Sequence, residues 1–157
     1  DIYGVQLCSV LKNVYSIGIG IIDGLSLGDN VRGLASTLAI QEIRDIGVLR
    51  GSGANTVFSP AGVGDLYATA FSSKSRSRTV GLLIGTGMIN TASSGWNIPI
   101  MSEGLNSVRA IHEISKSNNL QCAFLNFIYD IIGKNVSPSK SFNSMWKSLQ
   151  IDRKLSK

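Results

Sequence analysis

The chain has 157 residues, 43% of them hydrophobic, enough for one compact core and too little for two of ordinary size. Its net charge of +5 does not mark a nucleic-acid surface, because residues 134–157 hold six Lys/Arg against Asp152 alone and the excess reads as a solvated basic tail, assigned to 151–157. One histidine, His112, and two cysteines, Cys8 and Cys122, without ligand spacing leave no metal site and a poor basis for a Ser-His-Asp triad.

In chain order, the start at Asp1 lacks a basic n-region, so no secretory signal is expected and a trimmed start is. Residues 2–22 are apolar on most sides, but Lys12, Gln6, Asn13 and several glycines interrupt the run; a buried central helix is expected there, not a membrane span. The alternation in "IGIGII" offers a strand instead, weakened by its two glycines. A second helix is expected from a cap at Asp29 or Asn30 to near Gly51, and Pro60 suits a first helical turn. "SRSRTVGLLIG" begins another helix, and residues 85–101 read as loop or a short helix with loops. Ser102 is the expected cap of an amphipathic helix carrying Leu105, Val108, Ile111 and Ile114, with His112 on its surface. "CAFLNFIYDIIG" follows, with Gly133 to end it, and a last helix is expected over about 140–149. Cys8 and Cys122 sit in apolar runs as small hydrophobes, and a disulfide between them stays open. No convincing period-two segment and no repeat is present, so the expected class is all-α over residues 1–150.

"GIGIID", residues 18–23, nearly matches the dinucleotide-binding GxGxxG, with Asp23 in place of the third glycine. That fingerprint needs a strand before it and a helix after it, and here a helix precedes; the glycines are better suited to close helix packing. Lys12 is the only charged residue between Asp1 and Asp23. On a helix it shares a strip with Cys8, Ser16 and Gly20, small residues that could line a cavity. An amine among apolar residues, close to a carboxylate, can exchange a proton with a substrate oxygen; alternatively it snorkels to the surface. Farther on, Asp65 and Thr69 share a helical face, and Lys74, Arg76 and Arg78 alternate with Ser75 and Ser77. Such a cluster is either a solvated loop or a phosphate site of guanidinium forks and hydroxyl donors.

Taken together, "GVQLCSVLKNVYSIGIGIIDGLSLGDN", "AGVGDL", "SRSR" and "SEGLNSVRAI" resemble, in order and over nearly the whole chain, the C-terminal substrate domain of NAD(P)-dependent glycerol-3-phosphate dehydrogenase of the bacterial type. The resemblance implies a compact multi-helix domain like that of 6-phosphogluconate dehydrogenase-like enzymes. It further implies that the parent enzyme interconverts dihydroxyacetone phosphate and sn-glycerol 3-phosphate in the cytoplasm, for phospholipid precursors. Lys12 would be the proton donor and acceptor at the C2 oxygen, with Asp65 beside it. Asn13, Thr69, Ser75, Arg76 and Ser77 would bind substrate, and Arg76, Met101 and Glu103 would reach the cofactor. NAD or NADP would be held mainly by an N-terminal Rossmann domain, whose glycine-rich strand-helix pattern these residues lack, so the chain alone is expected to be inactive. A homodimer is left open. Where the family commonly has Asn after the Arg, this chain has the shorter Ser77. A related hydroxyacid dehydrogenase domain and a non-catalytic helical interaction domain are the alternatives.

Overall fold

The computed structural model describes residues 1–90 and 99–155, and the side chains among them outside 99–103, 105 and 151–155. Among the described residues there is no strand, and the all-α class expected from the sequence is the class of the fold. Seven α-helices follow one another there: α1 (Ile2–Gly24), α2 (Asp29–Leu49), α3 (Asp65–Ala70), α4 (Arg76–Gly85), α5 (Pro99–Ser117), α6 (Ala123–Lys134) and α7 (Pro138–Leu155). A 3₁₀ turn (Thr56–Phe58) and a π-helical turn (Pro60–Gly64) link α2 to α3.

The central helix is α1. Asp1 caps it by accepting from the Gly4 N–H at 2.8 Å, and the same carboxylate accepts from Ser52 Oγ and the Gly53 N–H, tying the start of α1 to the turn after α2. From Leu11 to Ile22 it is buried nearly all round, against α4 most extensively and also against α2, α3, α5 and α6. Although α1 is long and apolar enough to cross a membrane, 61% of its apolar window is buried inside the fold. The strand alternative at "IGIGII" loses for the same reason: every side of this segment meets another helix, a demand that a half-buried strand does not meet.

The crossing of α1 and α4 depends on glycine. A Cβ on Gly20 would land on the Arg78 carbonyl, and one on Gly81 on the Ile17 carbonyl; Gly24 and Gly85 repeat the arrangement one turn on. Backbone therefore meets backbone, which sets Lys12 on α1 and the Ser75–Arg76–Ser77 start of α4 at a defined separation. "GIGIID" lies wholly within α1 and is no phosphate loop.

Several helix ends differ from expectation. Gly28, not Asp29 or Asn30, occupies the N-cap of α2, at a φ of 86° that other residues rarely adopt; Asp29 instead lies in the first turn, paired with Arg32. Ser102 falls inside α5, which starts at Pro99, a residue suited to a first turn. Gly133 lies within α6, packed against the Tyr129 ring, and Asn135 at φ 57° ends the helix, with the Val136 N–H donating to Asp130 O. The last helix extends past the expected 140–149, to Leu155. Both cysteines are free and buried. His112 is less exposed than expected of a surface residue, stacked on Tyr129 with ring centroids 3.7 Å apart.

The N-terminus of α6 has an unusual cap. Glu42 of α2, 3% exposed, accepts from the Phe124 and Leu125 N–H groups and from Tyr15 Oη, all within 2.9 Å. Burial pushes its carboxyl up to about 7, against the pull of the three donors. Because the folded pKa exceeds the unfolded one, the folded chain binds a proton that the unfolded chain releases between pH 4.5 and about 7. The stability from this proton is complete at the acid end of that window and is lost as pH rises through it. In urea titrations the wild type should lose roughly 3 kcal/mol relative to Glu42→Gln across the window; a constant difference between the two would show that Glu42 does not titrate there.

Candidate functional site

A cavity of about 600 Å³ opens beside the middle of α1. From α1 it takes Ser9, Lys12 and Asn13, from α3 Thr69, from the segment before and into α4 Ser72, Lys74, Ser75, Arg76 and Ser77, and from α5 Gly104 and Ser107. The strip of small residues expected to line a cavity, Cys8, Ser16 and Gly20, faces the packed interior instead. Lys12, between Cys8 and Ser16 in that strip, keeps most of its side chain covered and brings its ammonium to the cavity, with a fifth of the side chain exposed.

There Lys12 Nζ donates to Asp65 Oδ2 at 2.6 Å, a charge-assisted contact between the cavity wall and the first residue of α3. Thr69, one turn on, lines the cavity and donates its hydroxyl to the Asp65 carbonyl at 2.8 Å. Asn13 is oriented from both ends: its Nδ2 donates to Ser9 O, and its Oδ1 accepts from Ser77 Oγ at 3.4 Å. Ser75 caps α4 by accepting from the Arg78 N–H, and its own hydroxyl proton has no acceptor among the described residues. The N-terminal dipole of α4 adds positive potential to the same wall.

Within the alternating cluster the three cations differ. Arg78 turns away and pairs with Asp23, 8% exposed, at 2.7 Å; Arg32 of α2 approaches the other oxygen of that carboxylate at 2.8 Å. This brace joins α1, α2 and α4. Arg76 and Lys74 are exposed, and neither forms an ion pair among the described residues. Met101 and Glu103 fall on α5, but their side chains lie outside the described residues. Of the residues expected to reach a cofactor, Arg76 therefore has the only described side chain; its guanidinium, without an ion pair among the described residues and lining the cavity that Lys12 also lines, fits a phosphate or ribose oxygen. Among the described residues no group of three His, Cys, Asp or Glu could hold a metal ion.

Residues 1–143 match the model of the NAD-dependent glycerol-3-phosphate dehydrogenase C-terminus. The chain belongs to that family. Among its relatives, glycerol-3-phosphate dehydrogenase (NAD(P)+) of Thermoanaerobacter sp. (strain X514) is 34% identical over 145 residues, covering 92% of this chain and 44% of that protein. The enzyme of the same name from Pelotomaculum thermopropionicum is 33% identical, over 92% of this chain and 41% of its own length. The crystal structure of glycerol-3-phosphate dehydrogenase from Coxiella burnetii superposes with a TM-score of 0.81 at 28% identity, over 93% of this chain and 45% of that one. The chain thus spans less than half the length of these glycerol-3-phosphate dehydrogenases and corresponds to their C-terminal part.

Sequence reasoning had not singled out Ser9, Ser72, Gly104 or Ser107, nor the Asp23 brace. Ser9 could have been found, since it lies one helical turn before Lys12 and Asn13. Nothing local points to Ser107, because the approach of α5 to α1 places it; a Cβ on Gly104 would meet Ile17 Cδ1 at 3.1 Å.

Proposed function

We propose that this chain is the substrate-binding and proton-transferring part of an NAD(P)-dependent glycerol-3-phosphate dehydrogenase, which interconverts dihydroxyacetone phosphate and sn-glycerol 3-phosphate. The observation that carries the reading is a single cavity lined both by Lys12, which pairs with Asp65 just outside it, and by Ser75, Arg76 and Ser77 at the start of α4. A reduced nicotinamide supplies a hydride to C2 of the substrate when bound. Lys12, as ammonium, gives a proton to the C2 oxygen as negative charge develops on it, and in the reverse direction the amine takes the alcohol's proton. Asp65 aims the amine. Arg76 and Ser75 hold the phosphate, so that binding energy remote from C2 orients the reacting carbon. Asn13 and Thr69 contact the substrate, Ser77 acts with Asn13, and Met101 and Glu103 reach the cofactor alongside Arg76.

In this reading the cofactor is bound mainly by a Rossmann domain outside these residues, and residues 1–150 by themselves do not turn over. The basic segment 151–157 takes no part in the chemistry. Supply of a phospholipid precursor in the cytoplasm is the role proposed with it.

The phosphate anchor has a direct test. In the enzyme that contains this chain with its dinucleotide domain, Arg76→Ala should raise KM for glycerol 3-phosphate by about 10- to 100-fold, the loss of a charge-assisted contact. Discrimination between glycerol 3-phosphate and glycerol should shrink by the same factor. Unchanged discrimination would take Arg76 out of the phosphate site.

A further inference from the structure

We propose that Lys74 is a second phosphate-contacting cation of this cavity, acting beside Arg76. The inference rests on the phosphate reading given above and concerns which side chains neutralise the anion. Three cations line the cavity, Lys12, Lys74 and Arg76, and no described carboxylate lines it. Lys12 is neutralised from just outside by Asp65 at 2.6 Å. Arg78, the third cation of the alternating cluster, is neutralised by Asp23 at 2.7 Å and does not line the cavity. Among the cations that line the cavity, the charge left without an ion pair among the described residues is therefore that of Lys74 and Arg76.

A phosphate monoester carries about −1.5 to −2 charges at neutral pH. One guanidinium leaves part of that charge unmatched; a guanidinium and an ammonium together match it. Arg76 presents a planar fork, and the ammonium of Lys74 is a compact charge on a flexible stem that can follow the third oxygen.

Local structure presents Lys74 to the cavity. Its N–H donates to Ser72 Oγ at 3.1 Å and the Ser75 N–H donates to Ser72 O at 3.2 Å, closing the chain into a turn two residues ahead of α4. Ser77 donates its hydroxyl to Asn13 Oδ1 of α1 at 3.4 Å, so that hydroxyl is turned toward α1.

The test is a titration of the chain with sn-glycerol 3-phosphate, and with glycerol as the uncharged control, followed by amide NMR shifts in the wild type, Lys74→Met, Lys74→Arg and Arg76→Ala. The side chain is exposed, so Lys74→Met keeps the fold, and unchanged shifts far from the cavity confirm it. The Met variant should bind glycerol 3-phosphate about ten-fold more weakly, as for loss of one charge-assisted contact, with a flatter dependence of affinity on salt. Lys74→Arg should stay within about two-fold of the wild type, since it restores the charge. If Lys74→Met binds like the wild type while Arg76→Ala does not, Lys74 is a solvated surface lysine and the proposal fails with the phosphate site intact. If the wild type itself binds glycerol 3-phosphate no better than glycerol, the phosphate reading fails and Lys74 falls with it.

Discussion

Lys12→Ala should lower kcat for dihydroxyacetone phosphate reduction by about 10²- to 10⁴-fold, the usual contribution of a positioned general acid. Affinity for the cofactor should change little, because Lys12 lines the cavity with Thr69 and pairs with Asp65 just outside it, and the cofactor contact assigned to this chain with a described side chain is Arg76. The fold should survive: Asp65 is 37% exposed, so water can solvate the carboxylate that the substitution leaves unpaired. Lys12→Arg separates the charge from the proton. A guanidinium keeps the ion pair with Asp65 but does not release its proton in the working pH range, so it should be nearly as damaged in kcat as Ala. Steady-state rates in the enzyme carrying this chain decide the matter, and turnover near the wild type in either variant would remove Lys12 from the proton transfer.

A large effect on stability is expected at Gly81. In the interior of an exposed helix, Gly→Ala is ordinarily favourable by up to about 1 kcal/mol. Here the sign should reverse. The added methyl group would meet the Ile17 carbonyl of α1, backbone that cannot rotate aside, so α4 must move off α1. Overpacking of this kind costs about 1–3 kcal/mol. Gly33 of α2 is the control, since a Cβ there meets nothing within 4 Å and Gly33→Ala should stabilise. Urea midpoints of the two variants should move in opposite directions; if both rise, the close approach of α1 and α4 is not what joins them. The same displacement carries Ser75 and Arg76 away from Lys12, so Gly81→Ala should also weaken the binding of glycerol 3-phosphate without touching any side chain that lines the cavity.

Much of the helix pattern was readable from the sequence, because the apolar residues of α1, α2, α6 and α7 recur at helical spacing and that periodicity is local. The helix ends were less legible. Gly28 caps α2 at a positive φ, and Asn135 ends α6 at another, where the sequence pattern points to Asp29 or Asn30 and to Gly133. At the N-terminus of α6 no local signal exists at all: the cap is Glu42, more than 80 positions earlier, which a sequence reading takes for an ordinary helical glutamate.

The candidate site divides in the same way. Lys12, Asn13, Asp65, Thr69, Ser75, Arg76 and Ser77 were all picked out as residues, four of them by the chemistry of a lysine in an apolar run and of an Arg/Ser cluster. What each one faces was not legible. The small-residue strip around Lys12 suggested a cavity on the wrong side, because Cys8, Ser16 and Gly20 are small in order to pack and not in order to leave room.

By itself, the sequence determined that the chain is helical, that an ammonium group is set into a long apolar helix, and that cations and hydroxyls are concentrated over residues 72–78. Periodicity and composition are properties of neighbouring residues, and they survive without a fold. The tertiary structure alone decided that Lys12 meets Asp65, 53 positions away, and that Asp23 takes Arg78 out of the cluster across 55, leaving Lys74 and Arg76 to the cavity. Those choices depend on which helix faces touch, and here the touching is set by glycines that let the backbones of α1 and α4 meet.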